Sequence, residues 1–334
     1  MEYKRLPGTC LNVSRLCLGT MTFGGQATEQ EGIDMLRYAV DKGINFIDTA
    51  DIYPCGASGE AGDSELAVGK ALQGIRDNVI LATKVRFPFG QGINNSGLSR
   101  HHIINSVEKS LKRLQTDYID IYYMHFYDNC TPFDETLRAL DDLVSAGKIR
   151  YAGFSNFPAW QMCDALAVSD KRNFIAPVIT ENVYNVLTRS IETELVPCIQ
   201  KHKIGLTVFN PLCGGMLTGK YNFANGIVNN TRFTEDTDYV SRYWNEDNFK
   251  AISKLEAIAK EAGTSLIELS MRWVATHDYV TSVIMGCSKM SHLEQNITLL
   301  DNGPLNADIM AACDEVWNGL KGNRFYYAGQ KEEY

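Results

Sequence analysis

Short unbroken apolar runs alternate along this chain with longer stretches in which apolar positions recur every three or four residues. The runs fall at residues 16–18, 45–48, 79–83, 119–124, 151–154, 178–180, 205–209 and 282–285. Apolar runs of this length, bounded by turn residues, read as strands buried on both faces. Between them, Ile104, Val107, Leu111 and Leu114 lie three, four and three apart, and Leu137, Leu140 and Val144 follow the same spacing. Each set gives a helix one apolar face. Thr28 with Glu31, Ser265 with Glu268 and Ser291 with Glu294 fit capping boxes. Pro132 and Pro158 stand where a first helical residue belongs, and Gly43, Gly147 and Gly263 where helices stop. Strands alternating with helices pair in parallel through right-handed crossovers. Eight such units predict an α/β fold, a closed (β/α)8 TIM barrel.

Three segments stand outside the repeat. Residues 3–15 predict an N-terminal β-hairpin turning at Pro7-Gly8, placed to cover the barrel bottom. Residues 213–247 are long, polar and aromatic, and predict a lid or binding loop. Residues 307–320 predict an extra C-terminal helix, followed by a loose tail. No linker or low-complexity tract divides the chain, so residues 1–334 read as a single domain.

Composition narrows the classes. Hydrophobic residues make up 45% and charged residues 22%, as in soluble globular proteins. A net charge of -8 argues against non-specific nucleic-acid binding and against anionic membranes. No apolar run is long enough to span a bilayer, and no h-region follows Met1. The nine cysteines are scattered without a Cys-x-x-Cys pair, which predicts free thiols in a cytoplasmic protein and shows no zinc-type cluster. The patterning discloses no oligomeric state.

Candidate chemistry sits at three successive strand ends. Asp48 closes the second strand and Tyr53 follows it; Lys84 closes the third, and His125 the fourth. In a parallel barrel the C-terminal edge of the strands carries the active site. Taken singly, each residue is more often structural; together at one edge they point to catalysis.

Further motifs extend the pattern. They include Gly43-Ile44-Asn45-Phe46-Ile47-Asp48-Thr49-Ala50 ahead of Tyr53, Gly147-Lys148-Ile149-Arg150-Tyr151, and Gly153 with Ser155-Asn156. Others are Tyr184-Asn185, Asn210-Pro211-Leu212 with Gly214-Gly215, Gly286-Cys287-Ser288 and Leu293-Glu294-Gln295-Asn296. With these in order from about Tyr3 to Trp317, the chain resembles the aldo-keto reductase superfamily, in its bacterial and potassium-channel-β-like branches.

The resemblance implies NAD(P)(H)-dependent interconversion of a carbonyl (aldehyde, ketone or sugar) and an alcohol. Hydride arriving at a carbonyl carbon leaves an alkoxide that needs a proton and nearby positive charge. Tyr53 is the expected general acid and base, Lys84 is expected to lower its pKa, Asp48 to hold Lys84, and His125 to orient the substrate oxygen. For the cofactor, the resemblance assigns Ser155, Asn156 and Glu181 to the carboxamide and Phe209 to the nicotinamide face. Asn210, Leu212, Gly214 and Gly215 are assigned to the pyrophosphate loop, and Gly286, Ser288, Lys289, His292, Gln295 and Asn296 to the adenosine end. NADP(H) is expected, with Lys289, Arg189 or His292 meeting the 2′-phosphate; NAD(H) is the alternative cofactor. No Gly-x-Gly-x-x-Gly follows the first strand, so no Rossmann site is indicated.

One departure from the family pattern is chemical: a glutamine is usual where Glu181 stands. An anion there favours the oxidised, cationic nicotinamide, unless Glu181 is protonated or turned toward Arg189. Met21, Phe23, Phe87, Phe126 and Trp244 are expected to line the substrate pocket. Two other readings compete: an NADP(H)-binding regulatory subunit with little turnover, and a glycosidase on the same barrel. The glycosidase needs two facing carboxylates at strand ends, whereas Asp48 lies beside a lysine–tyrosine pair.

Overall fold

The computed structural model describes residues 1–55, 59–229, 231–235 and 237–322. The expected loose tail falls on residues 323–334, outside the described residues. Strands β1 (Tyr3–Arg5) and β2 (Asn12–Ser14) pair antiparallel, Tyr3 opposite Ser14. Then follow β3 (Leu16–Gly19), β4 (Phe46–Asp48), β5 (Ile80–Val85), β6 (Ile119–Met124), β7 (Ile149–Ser155), β8 (Ile179–Val183), β9 (Gly205–Phe209) and β10 (Ser282–Gly286). Strands β3 to β10 form a closed parallel barrel in which β10 returns to β3, so the (β/α)8 expectation holds. Its crossovers are α1 (Glu29–Asp41), α2 (Asp63–Ala71), α3 (Arg100–Leu114), α4 (Phe133–Ser145), α5 (Ala159–Arg172) and α6 (Leu195–His202). Between β9 and β10 run α7 (Arg232–Glu235), α8 (Thr237–Tyr243), α9 (Glu246–Glu261) and α10 (Leu266–Thr276); α11 (Met290–Ile297) and α12 (Ala307–Leu320) complete the chain.

By contact density the chain divides into two compact units. Met1–Val183, Glu194–Phe209 and Tyr279–Thr298 form the first, which contains the whole barrel. Tyr184–Thr193, Asn210–Asp278 and the described residues from Leu299 form the second, in which α9 packs on α12. No helix among the described residues is long and apolar enough to cross a membrane.

The hairpin plugs the N-terminal end of the barrel. Leu6 and Val13 are fully buried against Cys17, Phe46, Ala82, Ile121, Tyr123 and Ile179. A Cβ on Gly205, the first residue of β9, would collide with the Leu6 side chain, so a larger residue here would have to displace the plug. Plugging one end with apolar side chains leaves chemistry to the opposite edge.

Helix boundaries follow the capping chemistry with corrections. Thr28 and Glu31 make the full capping box of α1, and Ser265 accepts from the Glu268 amide at α10. Ser291 is no cap: it lies inside the first turn of α11, whose N-cap is Lys289, two residues earlier, without a side-chain bond. Pro132 and Pro158 are N-caps rather than first helical residues, each with an extended ψ. Gly43, Gly147 and Gly263 follow the C-caps with positive φ, the conformation glycine adopts without a Cβ penalty. The buried face of α3 centres on Ile103 and Val107 rather than on Ile104 and Leu111, and α4 buries Leu143 where Val144 was expected.

The segment 213–247, expected as a loop, carries 3-10 turns at Cys213–Thr218 and Phe223–Asn225 besides α7 and α8. These pieces are held by aromatic packing. Trp244 meets Tyr221, Phe233 and Phe249 with ring centroids 5.6, 5.1 and 5.1 Å apart. Tertiary contact rather than periodicity specifies them, so the hydrophobic pattern alone does not show them.

Candidate active site

The first candidate residues converge inside the barrel at the ends of β4 and β5. Alternation along β5 turns Lys84 inward and sends its neighbour Thr83 outward to Glu65, at 2.6 Å. Lys84 is fully buried. Its Nζ donates to Asp48 Oδ1 at 2.7 Å, to Asp48 Oδ2 at 2.5 Å and to the Thr49 carbonyl at 2.9 Å. An ammonium has three N–H donors, and all three are engaged. From β8, Glu181 Oε2 comes within 3.5 Å of the same nitrogen. Two carboxyl groups therefore face one ammonium in a dry interior.

Their protonation follows from this crowding. Burial alone would lower Lys84, but Asp48 and Glu181 outweigh it and hold the ammonium above its ordinary range. Burial raises Asp48 against the pull of Lys84. Burial and the Asp48 charge push Glu181 up to about 8. Burial and the negative charge of Asp48 thus favour the protonated form of Glu181.

Tyr53 and His125 complete the group. Lys84 Nζ lies 5.2 Å from the Tyr53 ring centroid. The lysine pulls the phenol pKa down as expected, yet the net shift is upward. Burial dominates, and Asp48 and Glu181 add to it. The expectation that Lys84 leaves Tyr53 with a lowered pKa is thus corrected: burial of the phenol outweighs the lysine's pull. His125 follows β6 and sets its ring edge-on to Tyr53 at 5.9 Å and to Phe87 at 5.0 Å. Burial, then Lys84 and Arg86, drive its pKa well down, so the imidazole is neutral. Its buried Nδ1 has no hydrogen-bond partner among the described residues.

Ser155 and Asn156 join this cluster through β7. Ser155 is in register with Glu181, and the Asn156 amide donates to the Glu181 carbonyl at 2.9 Å. Asn156 has φ 61, a left-handed conformation asparagine tolerates. Its Nδ2 reaches Ser155 Oγ at 3.0 Å and the His125 carbonyl at 3.2 Å. Phe209 ends β9 and packs on the barrel core. Gly286 is exposed at the end of β10, and Ser288 is half-buried. Lys289, His292 and Gln295 are exposed at and along α11, and Asn296 Nδ2 lies 3.8 Å from Cys287 Sγ.

Asn210, Leu212, Gly214 and Gly215 form a tight turn of the second unit. Asn210 Oδ1 accepts from the Gly214 amide at 2.6 Å, its Nδ2 donates to the Tyr243 hydroxyl at 2.7 Å, and the Leu212 carbonyl accepts from Gly215 at 2.9 Å. Both glycines have positive φ, 66 and 95. Arg189, one candidate for a 2′-phosphate, is instead bonded to Glu192 at 2.8 Å and Asp314 at 2.6 Å. It is therefore not what neutralises Glu181.

A family profile, that of the Aldo/keto reductase family, matches residues 15–318. The chain belongs to this family. It is 36% identical over 317 residues to a probable voltage-gated potassium channel subunit beta of Arabidopsis thaliana, covering 93% of this chain and 94% of that one. It is 36% identical over 329 residues to the uncharacterized oxidoreductase YrpG of Bacillus subtilis, covering 96% and 98%. It is 32% identical over 318 residues to aflatoxin B1 aldehyde reductase member 2 of Rattus norvegicus, covering 90% and 84%. The chain is an oxidoreductase of this family, whose members generally use NAD(P)H.

A nicotinamide carboxamide needs one acceptor and one donor from the protein. Asn156 supplies a side-chain amide beside Ser155, and Glu181 Oε2 is buried without a hydrogen-bond partner among the described residues. This donor set fits the group. Of the aromatic candidates, Phe87 is half-buried and Phe126 is 45% exposed, while Met21 is half-buried. Phe23 is corrected: it is fully buried, its ring filling the space that a Cβ on Gly32 of α1 would need, so it has no surface to offer a substrate.

The sequence reading passed over Arg86. Its guanidinium lies 5.2 Å from the Phe87 ring centroid and 5.8 Å from that of Phe126, and its Nε is buried without a hydrogen-bond partner among the described residues. The signal was present. Arg86 follows Lys84 by two positions and stands one residue past the end of β5, on the barrel edge where the other candidates lie.

Proposed function

We propose that this oxidoreductase is an NADP(H)-dependent carbonyl reductase and alcohol dehydrogenase, with Tyr53 as proton donor and acceptor. The observation that carries the reading is the buried Lys84–Asp48 pair beside Tyr53 and a neutral His125. The bound nicotinamide supplies or accepts the hydride. His125 offers an uncharged N–H to the carbonyl oxygen and sets its angle. Tyr53 gives its proton to the developing alkoxide, and the Lys84 ammonium stabilises the phenolate that remains. Asp48 keeps Lys84 charged and fixed.

Ser155, Asn156 and Glu181 would hold the carboxamide, and Phe209 would cover one ring face. The Asn210–Gly215 turn would wrap the pyrophosphate. The uncapped start of α11 supports an anion site, since its first amides lack a side-chain acceptor. Exposed Lys289 and His292 support the preference for a 2′-phosphate over NAD(H). Met21, Phe87 and Phe126 would bound the substrate, a small carbonyl or alcohol. The profile's run through most of the chain supports one catalytic domain, and nine free thiols support a reducing, cytoplasmic setting.

Turnover decides the matter: NADPH and NADH are each offered with aldehydes, ketones and sugars, and NADP+ with the matching alcohols. The wild type should oxidise NADPH continuously with at least one carbonyl class. Tyr53→Phe should lose roughly 10²-fold or more and still bind NADPH; near-wild-type turnover in that variant refutes the proposed acid.

The likeness to channel-β relatives, with the raised phenol, supports a second reading, a redox-sensing subunit. Bound cofactor consumed only to one equivalent would favour it.

A further inference from the structure

Two thiols and an imidazole meet on the outer helices of the barrel, away from the residues discussed so far. Cys163 lies on α5, while Cys198 and His202 lie on α6 at i and i+4, one face of that helix. The two sulfurs stand 3.7 Å apart. The three side chains each bring a ligand atom within 4.8 Å of the others, the one such grouping of His, Cys, Asp or Glu among the described residues. No sequence spacing announces it, because Cys163 is separated from Cys198 by the whole of β8.

The distances select among the chemistries open to a dithiol. A disulfide needs its sulfurs at about 2.05 Å, so the pair is not bridged and both helices would have to close for it to form. A tetrahedral zinc ion with Zn–S bonds of about 2.3 Å holds two thiolates about 3.8 Å apart. The sulfurs already stand at that separation. Cys163 and His202 are exposed and Cys198 half-buried, so an ion can enter from solvent and water can take a fourth position.

We propose that Cys163, Cys198 and His202 form a binding site for a thiophilic divalent cation of the zinc class, clasping α5 to α6. Binding exchanges two thiol protons for the metal and leaves His202 neutral as a nitrogen ligand. Metal binding to the folded state alone stabilises it by mass action. The site stands apart from the reductase chemistry.

The test uses the full chain, reduced and stripped of metal, titrated with Co²⁺ and then with Zn²⁺. One equivalent of Co²⁺ should give thiolate-to-cobalt absorption with the visible band of a tetrahedral ion, and Zn²⁺ should abolish both. Thermal stability should rise with Zn²⁺ concentration. Cys163→Ser and Cys198→Ser should each remove the two-thiolate spectrum, and His202→Ala should weaken affinity by at least the roughly 10–100-fold lost with an outer-shell partner. Cys130→Ser, at an exposed cysteine elsewhere, should change nothing. An octahedral spectrum, or a thiolate band that survives the double Cys163→Ser/Cys198→Ser change, overturns the proposal. No turnover is read, so the outcome is independent of the reductase assay.

Discussion

Replacing Glu181 by glutamine tests the electrostatics at the centre of the barrel. The carboxyl's ordinary value is 4.5, and in the folded protein it is pushed up to about 8. For an acid with a raised folded pKa, the folded state keeps a proton that the unfolded state has released. Stability then falls as pH rises between the two values. Glu181 contributes no penalty well below pH 4.5, and the penalty is complete above about pH 8. At about 1.4 kcal/mol per pKa unit, the wild type loses about 3–4 kcal/mol through this group between about pH 5 and about pH 8. Glutamine keeps the shape and an amide hydrogen bond to Asp48 but cannot ionise. Urea unfolding of both proteins across that range, followed by tryptophan fluorescence, should show their stabilities diverging by about 1 kcal/mol per pH unit, the variant gaining. Asp48 titrates in both proteins and largely cancels in the difference. Parallel curves would refute the neutral Glu181. The same protonation state predicts that the variant keeps the wild-type ratio of reduction to oxidation at pH 7. It should bind oxidised cofactor less well than the wild type only above about pH 8, where Glu181 becomes an anion. A changed ratio at pH 7 would mean that the carboxylate is already charged there.

Other outcomes follow from single contacts. Lys84→Met strands the buried Asp48 charge and should cost about 3–5 kcal/mol of stability, part of it returned by adding Asp48→Asn; full stability in the single variant would contradict the pairing. Gly69→Ala places a methyl group against the backbone of α3, 2.7 Å from the Leu114 carbonyl carbon, and should cost about 1–3 kcal/mol by urea midpoint. Arg86→Met removes a guanidinium whose Nε is unpartnered. It should lower kcat/KM about tenfold for carbonyls bearing a carboxylate, as loss of a charged hydrogen bond does. Equal losses on uncharged carbonyls would show that Arg86 serves packing instead.

Much of this protein is written in local pattern. A strand buried on both faces must be apolar throughout, and a crossover helix must be apolar on one side, so eight alternations specify the closed barrel with no long-range information. Alternation within a strand also aims Lys84 inward, and a basic residue just past that strand's end, Arg86, was legible from its position at the same edge. The roles of Glu181, Phe23 and the cysteines were decided elsewhere. Glu181 is pushed toward its neutral form because β8 buries it beside the Asp48 charge. Phe23 is core because Gly32 leaves room for its ring. Cys163 meets Cys198 because α5 and α6 are neighbours around the barrel. Periodicity depends on each residue's own segment and can be read along the chain, whereas desolvation, charge sharing and ligand geometry depend on which segments meet, and only the closed fold brings those together.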